Sequence, residues 1–143
     1  MTLDEIQKMW EEDSNIDPDN LHLESLKIPQ LHAKYYKVYN NTMLLNKKCI
    51  QDINVLKRER YEYYNGKASP EIYAEEPFPF KVRDKDSMSR YMEADEKLGH
   101  LKLKNEYYET TLKYLEEIIK NLNNRTFQIK NAIEWSKFQA GYS

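Results

Sequence analysis

The eleven residues Leu56-Lys57-Arg58-Glu59-Arg60-Tyr61-Glu62-Tyr63-Tyr64-Asn65-Gly66 hold three cations and three tyrosines. Cations grip a phosphate backbone, and aromatic faces stack on unpaired bases of any identity. Together they meet the requirements for binding single-stranded nucleic acid without reading its sequence. On a helix, Lys57, Arg60 and Tyr64 fall along one side, with Arg58 and Tyr61 beside them at three-residue spacing. The same residue types also suit an ordinary helix C-terminus. There, cations complement the dipole and Asn65-Gly66 supplies positive-φ residues for a cap. Local chemistry leaves both readings open.

The charge around this stretch is uneven. Net charge is -2 over 143 residues. Residues 1–30 carry two cations and eight anions, residues 31–67 eight and three, residues 68–99 five and eight, and residues 100–143 seven and five. A basic central block between acidic ones is a local electrostatic footprint, even on an acidic chain. Lys34, Lys37, Lys47, Lys48, Lys57, Arg58 and Lys67 belong to that block, and Lys34 and Lys37 read as ordinary solvated charges. Lys81, Arg83 and Lys85 alternate with acids and give a weaker basic signal.

The elements that must position these side chains are helices. Mean hydropathy is -0.93, 32% of residues are charged, and there are only three glycines but twelve tyrosines. Such a composition predicts an all-α fold of long helices with narrow apolar stripes, whose missing burial comes from other copies. Thr2 and Glu5 form a capping-box pattern opening a short helix to about Glu12, with Leu3, Ile6, Met9 and Trp10 on its apolar face. This acidic arm, residues 1–30, either docks on its own assembly or is presented to a basic partner. Asp19 or Asn20 caps a second short helix from Leu21 to about Lys27. Pro29 then either starts the next helix or kinks a continuous one.

From Leu31 the apolar positions are Leu31, Tyr35, Val38, Thr42, Leu45, Cys49, Ile53 and Leu56, a heptad with one stutter near Cys49. That long helix, residues 31–64, ends at Asn65-Gly66. Residues 65–86, with Pro70, Pro77 and Pro79, read as a loop, and Phe78 and Phe80 as a tether onto a neighbouring subunit. Asp86 or Ser87 caps a second long helix, residues 87–122. Its seam is Ala94, Leu98, Leu101, Asn105, Tyr108, Leu112, Leu115, Ile119, Leu122, Thr126, Ile129, Ile133, Ser136 and Ala140, a pattern of coiled-coil persistence. Asn123-Asn124 is a candidate bend. Beyond it, residues 123–143 form a candidate oligomerisation segment carrying Ile129, Ile133, Trp135 and Phe138.

The whole, residues 1–143, reads as one helical domain built on an antiparallel hairpin of helices about 50 Å long. Two helices alone cannot cover both seams, so several hairpins are expected to gather into a homo-oligomeric ring or barrel.

Catalytic signals are weak. His22, His32 and His100 are far apart, and Glu96–His100 is a surface-type pair rather than a metal site. No phosphate loop, glycine-rich turn or nucleophile elbow appears. Cys49 sits on the seam as a small core residue and fits a reducing compartment. A non-enzyme without cofactor or metal is expected. Neither a membrane span nor a basic-plus-apolar leader is recognisable, so a soluble intracellular protein is expected as well.

Arg58-x-Arg60-x-Glu62-Tyr63-Tyr64-Asn65-Gly66 resembles the central motif of the UvsY family, recombination mediators of T-even-like bacteriophages. Other stretches match it in order. Leu3-Asp4-Glu5-Ile6-Gln7 and Ile16-Asp17 followed by Leu21 are similar to the family's opening. Ser87-Met88-Ser89-Arg90-Tyr91 resembles its second-helix start, and Phe127-x-Ile129-Lys130 with Phe138-x-Ala140-Gly141 its end. The resemblance spans nearly the whole chain. It implies a non-catalytic homo-oligomer, of about six or seven copies, that binds single-stranded DNA in the cytoplasm of the infected host cell. It implies further that the protein helps load a RecA-like phage recombinase onto strands covered by the phage single-stranded DNA-binding protein. In the family the basic pair of the central motif takes part in DNA binding, which carries over to Arg58 and Arg60. Arginine replaces the family's lysine at position 58, Lys57 adds a charge, and Glu59 subtracts one. Around that pair, Lys57, Tyr63, Tyr64, Lys47, Lys48 and Lys67 complete the expected DNA-binding set. The alternative is a coiled-coil adaptor whose basic block serves solubility or protein docking.

Overall fold

The computed structural model describes residues 1–141. Five helices follow one another: α1 (Leu3–Asp13), α2 (Leu21–Tyr64), α3 (Pro70–Glu75), α4 (Lys85–Glu93) and α5 (Glu96–Gln139), with no strand among the described residues. The long helices are 44 residues each. Contacts cluster into two compact units, residues 1–43 with those from Thr110 onward, and residues 44–109.

In the first unit, α1 begins at the capping box read from Thr2 and Glu5. The Glu5 N–H donates to Thr2 Oγ1 at 3.2 Å, and the Thr2 N–H to Glu5 Oε2 at 3.4 Å. Its apolar face docks on the chain's own helices: Ile6 is fully buried with Tyr35, Leu115, Ile118 and Leu122, and Met9 and Trp10 pack alongside. Trp10 meets the Tyr35 ring edge-on at 5.5 Å. Asp13 ties down the end of α1, accepting from Lys34 Nζ at 2.6 Å and Tyr35 OH at 2.8 Å. Burial works against the Asp13 charge, but these two hydrogen bonds outweigh it and hold the carboxyl below its ordinary range. Of the two roles open to the arm, docking is the one observed.

Several expectations are resolved in this unit. Leu21–Tyr64 is one helix with Pro29 inside it, so of the two readings of Pro29 the continuous helix is the one observed. Glu24 and Tyr35 are buried on either side of that proline, and such packing offsets the roughly 3 kcal/mol that an interior proline costs. On α5, Arg125 and not Thr126 occupies the inward position, with 1% exposure. Arg125 Nη2 donates to the Asp13 carbonyl at 3.0 Å, and its guanidinium lies 5.5 Å from the Trp10 ring centre. Asn123-Asn124 does not end the helix, since α5 continues to Gln139. The expected oligomerisation residues divide. Ile129 is buried on the stripe of Leu115 and Leu122, and Ile133 is half-buried. Trp135 and Phe138 are 60% and 70% exposed and stack on each other at 5.7 Å.

In the second unit α2 and α5 run antiparallel. Asn46 Nδ2 donates to Asn105 Oδ1 at 2.7 Å, and the Cys49 thiol to the Leu101 carbonyl at 3.5 Å. The buried position is therefore Asn46, while Leu45, expected on the seam, is 48% exposed. The cross-helix amide pair satisfies Asn46 and draws that face inward. The expected loop contains a short helix, α3, with Pro70 in its first turn. The second long helix is interrupted. Asp84, not Asp86 or Ser87, caps α4 by accepting from the Ser87 N–H at 2.9 Å. Ala94 then closes α4, and Asp95 starts α5 by accepting the Leu98 N–H at 2.9 Å. Phe78, expected as a tether, packs within its own chain among Tyr63, Tyr64 and Tyr91 at 5.2–5.5 Å, whereas Phe80 stays 62% exposed.

The end of α2 is a Schellman cap. Lys67 N–H donates to the Glu62 carbonyl at 2.8 Å and Gly66 N–H to that of Tyr63 at 3.4 Å. Only Gly66 takes positive φ (+87°), not Asn65, and a Cβ there would meet the Lys81 side chain at 3.0 Å. Val82 N–H returns to the Tyr64 carbonyl at 2.9 Å.

If α1 is held chiefly by Ile6, then Ile6→Ala removes about 3 kcal/mol of stability. Urea unfolding followed by circular dichroism reads this as a lower midpoint; an unchanged midpoint would mean the arm contributes no anchorage.

Candidate nucleic-acid interface

The sequence places three tyrosines and three cations on the last turns of α2, and the fold sorts them into two sets. Arg60, Tyr63 and Tyr64 are 6%, 3% and 8% exposed. Lys57, Arg58 and Lys67 face solvent, as do Lys47 and Lys48 further back on α2, while Tyr61 is half exposed. Arg60, Tyr63 and Tyr64, expected among the DNA-binding residues, are thus buried within the protomer.

Arg60 is inside because two carboxylates hold it there. Its Nε donates to Asp95 Oδ2 at 2.6 Å, and Nη1 and Nη2 fork onto Glu76 Oε2 and Oε1 at 3.2 and 3.0 Å. Its guanidinium lies 4.2 Å from the Tyr63 ring centre and 5.2 Å from that of Tyr64. The tyrosines join the same network. Tyr64 OH donates to Asp95 Oδ2 at 2.6 Å, and Tyr63 OH to the Glu76 carbonyl at 2.9 Å. Tyr73 OH in turn donates to the Tyr63 carbonyl at 2.8 Å and stacks on the Tyr63 ring at 5.4 Å. Lys97 adds a second cation on Glu76 at 3.3 Å.

Electrostatics follow from this packing. Burial raises the cost of the Asp95 charge, but hydrogen bonds from Tyr64, the Leu98 N–H and Arg60 outweigh it, and the carboxyl is held low. Glu76 is lowered by its Arg60 hydrogen bonds. Burial alone would weaken the Arg60 charge; its bonds to Glu76, Tyr64 and Asp95 reverse that and fix it as a cation.

Of the outward set, Lys57 and Tyr61 line a cleft of about 620 Å³. Lys57 and Tyr61 of α2, Arg83 and Asp84, Lys85, Met88, Ser89, Met92 and Glu93 of α4, and Leu98 and Lys102 of α5 surround it. Arg83 and Lys85 are residues whose sequence signal is weak, and Lys102 gives none, because its relation to Lys57 exists only once α5 lies beside α2. Among the described residues no group of three His, Cys, Asp or Glu side chains is placed to hold a metal ion. No helix among them is long and apolar enough to cross a membrane.

These features define a class: an all-helical protein whose long paired helices lock Arg60 inside and turn the neighbouring cations of α2 outward. A family model described as "Recombination, repair and ssDNA binding protein UvsY" matches residues 9–142, and the chain belongs to the UvsY family. Crystal structures of the bacteriophage T4 recombination mediator protein UvsY share the fold. One lattice form gives a TM-score of 0.85 at 20% identity, covering 98% of each chain. Another gives 0.82 at 18% identity, covering 97% of this chain and 99% of that one. No curated protein matches in sequence.

Because Asp95 and Glu76 have lowered pKa values, their stabilisation is fully present above the ordinary carboxylate range and is lost as pH falls through the depressed values. Stability is thus expected to be flat from pH 8 to 5 in this respect and to fall below about pH 4. Asp95→Asn is expected to cost about 3 kcal/mol at neutral pH and to flatten that acid limb. Chemical denaturation across pH tests both; a variant with the parent's acid profile would remove Asp95 as its source.

Proposed function

We propose that this chain is a recombination mediator. It binds single-stranded DNA and helps load a RecA-like recombinase onto strands coated by the phage single-stranded DNA-binding protein. The observation that carries this reading is the family match over residues 9–142. The exposed Lys57–Arg58 pair supports it, because this is where the fold leaves the central motif's cations free.

In this reading Lys57 and Arg58 hold phosphates, and Lys47, Lys48 and Lys67 extend the track. Arg60, Tyr63 and Tyr64 act as positioning residues: the clamp on Asp95 and Glu76 fixes the helix end that presents the outward cations. The protein performs no chemistry of its own, and ATP turnover belongs to the recombinase. It acts in the cytoplasm of the infected host cell. Copies assemble into a ring or barrel through the segment after Asn123, where Trp135 and Phe138 offer a stacked, uncovered apolar pair. Repeating a modest phosphate contact around such a ring raises affinity by avidity. A strand bent over the ring would loosen its coating protein and be presented to the recombinase.

Fluorescence anisotropy with a labelled oligonucleotide at two salt concentrations tests the DNA arm. Binding should weaken steeply with salt, and replacing Lys57 and Arg58 by alanine should lower the logarithmic salt slope by about 1.4 per subunit engaged. Arg60→Ala should instead lower the unfolding midpoint. A salt-independent or absent interaction would refute the mediator reading. For assembly, native mass of Trp135→Ala/Phe138→Ala is expected to fall to the protomer's; an intact oligomer would move the interface elsewhere.

A further inference from the structure

Building on the single-strand reading above, we infer that the cleft framed by α2, α4 and α5 is a nucleobase pocket. An unpaired base stacks there on Tyr61 while Lys57, Arg83, Lys85 and Lys102 hold the flanking phosphates. The basic pair of the family's central motif falls on Arg58 and Arg60, neither of which lines this cleft.

Size comes first. About 620 Å³ lies within the roughly 300–1,000 Å³ range of sites that enclose a small organic group. The floor is apolar: Met88 and Leu98 are 8% and 1% exposed, and Met92 is half-buried. Thioether sulfurs are polarisable and make favourable contacts with aromatic rings. Tyr61 is 50% exposed and has no ring partner among the described residues, whereas Tyr63 and Tyr64 are committed to the Phe78 cluster. It is the tyrosine of the motif whose face remains available.

The rim is charged to match. Four cations line the cleft against two carboxylates. None of Lys57, Arg83, Lys85 and Lys102 forms an ion pair among the described residues, in contrast to Arg60 and Lys97. Asp84 is already occupied in capping α4. Cations arriving from three separate stretches around one aromatic face suit a ligand that carries a phosphate on each side of every base. An acidic peptide would use the cations but would have no need of the tyrosine face.

The test compares oligothymidylate with an abasic strand of equal length, both labelled, against the full chain in its native assembly. Thymidylate should bind roughly tenfold more tightly. Tyr61→Ala should erase that preference, Tyr61→Phe should keep it, and Tyr36→Ala, an exposed tyrosine in the other unit, should leave it unchanged. Arg83→Ala and Lys102→Ala should weaken both strands alike. Equal binding of the two strands by the parent protein, or a Tyr61→Ala variant that keeps the preference, would overturn the pocket while sparing the single-strand reading. Failure to bind either strand would sink that reading itself. Loss of poly-glutamate binding, but not of DNA binding, in the cleft variants would replace the base with an acidic peptide.

Discussion

One buried contact, the Arg60 guanidinium on the Asp95 carboxylate, fixes the second unit. Asp95 uses one oxygen to cap α5 and the other to receive Arg60 and Tyr64. The start of one long helix is thereby set by the end of the other. Asp95 is 4% exposed, and isolating a charge to that extent is costly unless every lone pair finds a donor. Here the donors are present, and Glu76 completes the shell around Arg60 from the α3 side. Removing Asp95 takes a partner from both the buried Arg60 guanidinium and the buried Tyr64 hydroxyl, which makes the cluster a constraint rather than a decoration.

The first unit uses a buried cation differently. Arg125 is 1% exposed within the apolar core, yet among the described residues it has one hydrogen bond, to a backbone carbonyl, and its Nε and Nη1 find no partner there. Burial pushes its pKa down, while Glu24 and Asp13 nearby work the other way. Trp10 shares its face with this guanidinium and with Tyr35. Among the arm's acids, Asp13 is answered inside the protomer by Lys34 and lies near Arg125, while Asp4, Glu11, Glu12, Asp17 and Asp19 stay exposed to water.

Much of this architecture is legible in the sequence because it depends on local rules. The Thr2–Glu5 capping box, the Asn-Gly stop and the four-three spacing along α2 and α5 each follow from hydrogen-bond geometry or helical period within a few residues. What escapes is set by contacts from far along the chain. Met92-Glu93-Ala94 has no proline or glycine to end a helix, and the break there follows from Asp95 being engaged by Arg60, 35 positions away. Asn46 and Arg125 sit one place from the expected seam positions Leu45 and Thr126, and each is buried by a partner on another helix. The candidate site divides the same way. Residue types identify the cations and rings, but four of the motif's side chains at three- and four-residue spacing look alike until the carboxylates that claim Arg60 and Tyr64 are in place.

The cap on α2 has an electrostatic side as well. A helix ends in carbonyl oxygens that together carry about half a negative charge and would repel a passing polyanion. α2 has no basic residue in its last turn to cancel this. Instead the chain itself covers the oxygens: Asn65 takes that of Tyr61, Lys67 that of Glu62, Gly66 and Tyr73 that of Tyr63, and Val82 that of Tyr64. A phosphate chain laid alongside Lys57 and Arg58 would meet no bare acceptor at the helix terminus beyond them.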